Sequence, residues 1–82
     1  MDLNQPQNID VLTAFIGNKI EPKMFRWQNK KYLIKKINLY YEEKVGGQPI
    51  HCFSVSDSHG NVFDIAYHNQ TNRWQLRNLN WR

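Results

Sequence analysis

An all-β fold is what this sequence predicts: an antiparallel meander of five to six strands forming a strongly curved sheet or a partly open small barrel. Three observations point there. Apolar and polar residues alternate with a period of two in several short runs, as half-buried strands require. Turn-forming residues recur between those runs, at Gly17-Asn18, Gln28-Asn29, Gly46-Gly47, Asp57–Asn61 and Asn69–Asn72. Eleven of the 82 residues are aromatic, and a chain this short can enclose so many rings only by curling its sheet around them.

Taken in order, residues 1–8 are polar, with Asn4-Gln5-Pro6-Gln7-Asn8 in succession, and read as a flexible tail; residues 9–82 form a single small β domain. Residues 9–16 admit two readings. Ile9, Val11, Thr13 and Phe15 alternate as a strand would, while Asn8 and Gly17 would equally bound a short N-terminal helix; the alternation favours the strand. Pro22 then biases Glu21 toward extended backbone.

Met24–Tyr41, MFRWQNKKYLIKKINLYY, is the central hairpin. Phe25 and Trp27 share one face, with Met24, Arg26 and Gln28 on the other. Gln28–Lys31 reads as the turn, since Asn tolerates a left-handed backbone. The alternation resumes at Tyr32 and Ile34 and breaks at Lys35-Lys36, where one extra residue signals a β-bulge that would keep Tyr32, Ile34, Ile37 and Tyr41 on one buried side. A helix over residues 31–43 is disfavoured by the β-branched and aromatic residues there.

Glu42–Pro49, with Gly46-Gly47, reads as a mobile connection. Ile50–Ser56, Val62–Tyr67 and Arg73–Leu76 are three further strands, the first two joined by a type I turn beginning at Asp57. The core expected from these patterns is Phe25, Trp27, Tyr32, Ile34, Ile37, Phe53, Val55, Phe63, Ile65, Trp74 and Leu76.

The net charge of +4 is unevenly spread. Between Lys19 and Lys36 stand seven basic residues and one acidic residue, a local excess of six, so the remainder carries −2. A regional positive field attracts polyanions; lysines on edge strands also block unwanted pairing. Arg26, Lys35, Lys36, Arg73 and Arg77, with Tyr40 as a stacking ring, are the candidate single-stranded nucleic-acid contacts. Tyr67 and Trp81 are further candidates for exposed rings. Met24, Tyr40 and Trp81 are the candidate apolar patch for a protein partner or for self-association.

Reaction chemistry finds little support. His51, Cys52, His59 and His68 lack paired metal-ligand spacing, and His51 and Cys52, being adjacent, would point to opposite faces of a strand. The single cysteine reads as small apolar filler. No phosphate-cradling glycine motif occurs, so no enzyme, metal or cofactor is expected. No signal peptide or long apolar run is present, which suits a soluble cytoplasmic protein. A small accessory binding module is the expected role, with the basic face as the alternative.

Pro22-x-x-Phe25-x-Trp27, Tyr32-x-Ile34-x-x-Ile37-x-x-x-Tyr41, Phe53-x-Val55, Phe63-x-Ile65 and Arg73-Trp74-x-Leu76, in that order, resemble a family of small bacterial all-β domains of uncharacterised function often encoded near translesion DNA polymerase or other DNA-repair genes. The resemblance spans residues 20–79 and rests mainly on Pro-x-x-Phe-x-Trp and Arg-Trp-x-Leu. This chain departs from it at Gln28-Asn29, where the family places a glycine, and at Tyr41, where it places tryptophan. The resemblance implies a β fold and a link to DNA repair, and transfers no catalytic residue.

Overall fold

The computed structural model describes residues 2–81. Seven strands form one antiparallel sheet: β1 (Asp2–Ile16), β2 (Lys19–Trp27), β3 (Lys30–Leu33), β4 (Lys36–Val45), β5 (Gln48–Ser56), β6 (Val62–His68) and β7 (Arg73–Asn80). Their order in space is β3-β2-β1-β7-β6-β5-β4. Chain neighbours lie side by side, except that the first and last strands pair at the middle of the sheet and the consecutive strands β3 and β4 lie at its two free edges. The sheet is therefore a curled meander that does not close into a barrel.

The curl has a local cause. Ile34 donates its amide to the Lys23 carbonyl on β2 at 2.9 Å, and the next residue, Lys35, donates to the Ser56 carbonyl on β5 at 2.8 Å. Within two residues the chain leaves one edge of the sheet and joins the other. That step is possible only if the two edges approach at this corner. The break in alternation at Lys35-Lys36 thus marks an edge-to-edge crossing, where a bulge in one strand was expected. The bulge itself lies further on, where the β4–β5 register shifts between Ile37 and Leu39. It adds one residue, Asn38, and reverses which side chains face inward. Tyr40 consequently packs against Phe53, with ring centroids 5.0 Å apart, whereas Tyr41, expected to be buried, is exposed.

Two turns explain the tightness of the outer hairpins. Gln28 and Asn29 have φ of 51° and 63° and connect the Trp27↔Lys30 pair. Positive φ at both central residues is the type I′ arrangement, whose twist matches that of the flanking strands. Gly46 and Gly47, with φ of 59° and 81°, do the same between Val45 and Gln48. The expected mobile connection over Glu42–Pro49 is instead strand, tight turn and strand.

β1 joins the two halves of the sheet. Its first part pairs with β7, through Gln7↔Leu76, Asn8↔Gln75 and Ile9↔Trp74. From Asp10 to Ile16 it pairs with β2. Residues 2–8 are accordingly strand, not a flexible tail. The polar side chains of Gln5, Gln7 and Asn8 are exposed and do not need the core, because main-chain pairing holds this segment in place. Gln7 adds a contact of its own, accepting a 2.7 Å hydrogen bond from the Trp27 indole N–H. Residues 9–16 are strand; the described residues contain no helix.

The interior is a continuous cluster of Ile9, Phe25, Trp27, Phe53, Val55, Phe63, Ile65, Tyr67, Trp74, Leu76 and Leu79, with Tyr32, Ile34 and Ile37 packed against it. Phe63 on β6 meets Phe25 on β2 edge-on at 5.0 Å and Tyr32 on β3 at 5.3 Å. Rings from strands far apart in the sheet touch only because the sheet curls. Each such ring removes a large apolar area from water.

Candidate interaction surface

The β4 edge is a long open margin of the sheet. It runs for ten residues along the free margin of the sheet, paired on one side to β5. Its outward main-chain groups are therefore open to another strand. Leu39, Tyr40, Tyr41 and Val45 on it are 56%, 47%, 44% and 61% exposed. The charged residues lie toward the strand's ends, Lys36 at one and Glu42, Glu43 and Lys44 at the other, so Ile37–Tyr41 is uncharged.

The alternation of β4 past Asn38 sends its side chains to two differently built faces. On the concave side, Tyr40 stacks over His51 with centroids 6.0 Å apart, and its hydroxyl lies 2.7 Å from His51 Nδ1. The same hydroxyl donates to Glu42 Oε1 at 3.2 Å. Partial burial and then this bond to the Glu42 carboxylate push the Tyr40 phenol above its usual pKa, so it remains a protonated donor. A cleft of about 360 Å³ opens here between β2 and β4–β5, lined by Ile20, Ile37, Tyr40, His51 and Phe53, with Lys19 and Glu21 as its charged groups.

On the convex side, Glu43 accepts a 2.8 Å charge-assisted hydrogen bond from Arg77 Nη1 on β7. The bond spans β5 and β6, and beneath it lie buried Cys52 and Ala66. Arg77 also approaches Cys52 Sγ at 3.6 Å. Burial raises the Cys52 thiol pKa despite the nearby guanidinium, which opposes the shift. The sulfur is thus a small apolar group in a packed layer. His51 and Cys52 do occupy opposite faces, and among the described residues no group of three or more His, Cys, Asp or Glu side chains could hold a metal ion.

The basic residues singled out from sequence are dispersed. Arg26 on β2 is exposed between its cross-strand neighbours Lys31 and Asp10. Arg73 is exposed at the start of β7 and lines the same shallow depression as Asp10, beside Trp74. Because Ile9 pairs with Trp74, Asp10 lies level with Arg73, so one acidic residue separates the two arginines in a row across the sheet. Arg77 is engaged by Glu43 on the other half of the sheet. Lys35 and Lys36 lie at the edge-crossing corner, next to the Asp57–Gly60 turn.

Met24, Tyr40 and Trp81 are also separated. Met24 lies between Leu12 and Leu33 on the convex side of β1–β2–β3. Tyr40 belongs to the β4 edge. Trp81, half exposed, stacks on Trp27 at 6.5 Å and meets Phe63 edge-on at 5.6 Å. Tyr67, expected as an exposed ring, is 8% exposed and donates its hydroxyl to Asn72 Oδ1. It shares the parity of Phe63 and Ile65 on β6, which carries it inward.

Leu39, Tyr41 and Val45 are the surface residues that the sequence pattern did not single out. Their signal was the odd residue at Asn38, which alone decides their face. No protein-family model, curated protein or solved structure matches this chain.

Proposed function

We propose that this chain is a small cytoplasmic accessory binding module that acts by protein–protein contact, using the β4 edge as its contact surface. The observation that carries this reading is the ten-residue unpaired margin whose uncharged middle exposes Leu39, Tyr40 and Tyr41. Strand addition draws its affinity from main-chain hydrogen bonds and its selectivity from the side chains beside them. Natural edges of this length are ordinarily shortened, charged or covered. Two exposed rings and a leucine there favour a partner strand over bare solvent. As a binding module the chain needs no catalytic group or cofactor.

The Leu39→Lys/Tyr41→Lys double variant tests the reading. It places two charges on the convex side of the β4 edge and leaves the main interior cluster unaltered. Proteins retained by the wild-type chain from a lysate of its source cells, or its own self-association, should be lost in this variant while its melting curve is kept. Unchanged retention and self-association would reject the β4 edge.

A second reading is single-stranded nucleic-acid binding on the face that carries Arg26 and Arg73, in keeping with the resemblance to domains encoded near repair genes. The exposure of both arginines, with Lys31 beside Arg26, favours it. Asp10 between them weighs against it. The two readings separate by salt. Binding of labelled single-stranded DNA should collapse between low and moderate salt and vanish in Arg26→Ala/Arg73→Ala, whereas apolar contact at β4 is nearly indifferent to salt.

A further inference from the structure

We infer that the partner of the β4 edge is the β4 edge of a second copy, paired antiparallel about a two-fold axis through Tyr40. This rests on the reading of β4 as the contact surface and adds the identity of its occupant.

The argument is charge and face complementarity. In an antiparallel pair, residues directly opposite share a face of the sheet. Tyr40 and Glu42 face the concave side, and Leu39, Tyr41 and Glu43 the convex side. With Tyr40 opposite Tyr40, Leu39 of each copy falls opposite Tyr41 of the other. Asn38 is the additional residue in β4, so beyond it the pairing resumes with Ile37 opposite Glu42 and Lys36 opposite Glu43. This register brings the exposed convex Leu39 and Tyr41 together and pairs a lysine with a glutamate at each end. Because the contact is isologous, every pair off the axis occurs twice.

Neighbouring registers fit less well. A centre at Tyr41 sets Leu39 against the Glu43 carboxylate, and a centre at Glu42 places the Glu42 carboxylate against its own copy. A shift of one position mismatches the faces and sets Leu39 of one copy toward the concave side of the other. The β3 edge offers no equivalent: it has four residues, and Lys30 and Lys31 of two copies would crowd like charges together. The β4 pairing joins two seven-stranded sheets and covers one open margin of each.

Sedimentation of the full chain over a dilution series tests this. The wild type should form a dimer that dissociates on dilution. Lys36→Glu alone and Glu43→Lys alone should each weaken it by roughly tenfold or more, since each reverses both end pairs into like-charge contacts. An equimolar mixture of the two variants should restore the dimer, because Glu at 36 in one then faces Lys at 43 in the other. Glu43→Lys also removes the Arg77 contact, so each variant's melting curve is recorded. If Glu43→Lys fails to fold, Leu39→Arg interrogates the same pairing without touching Arg77 and should abolish the dimer. A wild-type monomer at every concentration, a dimer indifferent to the reversals, or a mixture no tighter than its components overturns the inference. In the monomer case, lysate capture that still requires Leu39 and Tyr41 preserves the edge reading while excluding the second copy; loss of that dependence removes both.

Discussion

The two margins of the sheet come from one stretch of chain, residues 30–45, and are built in opposite ways. β3 is four residues long, carries the exposed Lys30 and Lys31, and turns Tyr32 inward onto Phe25 with centroids 5.0 Å apart. β4 is ten residues long, and its middle is uncharged. Brevity and lysine are two ordinary ways of discouraging strand addition, and β3 uses both. β4 uses charge only toward its ends, where it would direct a register without preventing pairing. The bulge at Asn38 bends the strand early and leaves Leu39–Val45 as a regular run. The contrast shows that this fold can guard an edge and has guarded only one.

The largest expected effect sharpens the guarded side. Phe63 holds the rings of β2 and β3 against β6. Phe63→Ala should cost about 3–5 kcal/mol in urea unfolding. Amide exchange in β3 should accelerate with it, because Tyr32 loses its anchor. A loss under about 1 kcal/mol would show that β3 is held by main-chain pairing alone. On the open side, Leu39→Lys/Tyr41→Lys should change the monomer's stability by no more than about 0.5 kcal/mol, as surface changes ordinarily do. A much larger loss in unfolding measured at dissociating concentrations would mean that these side chains support the fold itself, and the two margins would no longer differ in kind.

The smallest effect concerns the corner where the margins meet. Asp57 follows Ser56, whose carbonyl receives the crossing amide of Lys35. Burial acts to raise the Asp57 pKa, but hydrogen bonds from the Asn61 side chain and from the Asn61 and His59 amides outweigh it and hold the carboxyl below its ordinary value. A carboxylate with a depressed folded-state pKa contributes stability above its unfolded value, near pH 4, and loses that contribution as pH falls through the lower folded value. The wild type should therefore lose stability below about pH 4 more steeply than Asp57→Asn. Parallel acid profiles would show that the turn is held without its charge.

Much of the interior was legible from period-two alternation. Phe25 and Trp27 on β2, Phe53 and Val55 on β5, and Trp74 and Leu76 on β7 lie inside as that pattern requires. The β2–β3 turn was legible because Asn29 accepts positive φ. What escaped depended on partners. Residues 5–8 look unfit for a core and are exposed, yet main-chain pairing of β1 to β7 orders this segment regardless. Tyr40 and Tyr41 exchange roles because the bulge lies at Asn38, beyond Ile37, and its extra residue reverses the strand's faces. The exposed margin depends on spatial order: nothing local to residues 30–45 reveals that β3 and β4 part company and end at opposite sides of the sheet. The place of Arg77 escaped for a related reason, since its ion pair with Glu43 links residues 34 positions apart.

The meeting of β1 and β7 has a consequence for biosynthesis. During synthesis the hairpins β1–β2, β2–β3, β4–β5 and β5–β6 can assemble as each emerges from the ribosome, while the opening residues wait for a mate not yet made. Contacts of such long sequence separation are costly in chain entropy and tend to form slowly. Until residues 73–80 appear, the nascent domain stays split down its middle, and a pause or truncation just before them would strand a half-built, adhesive intermediate.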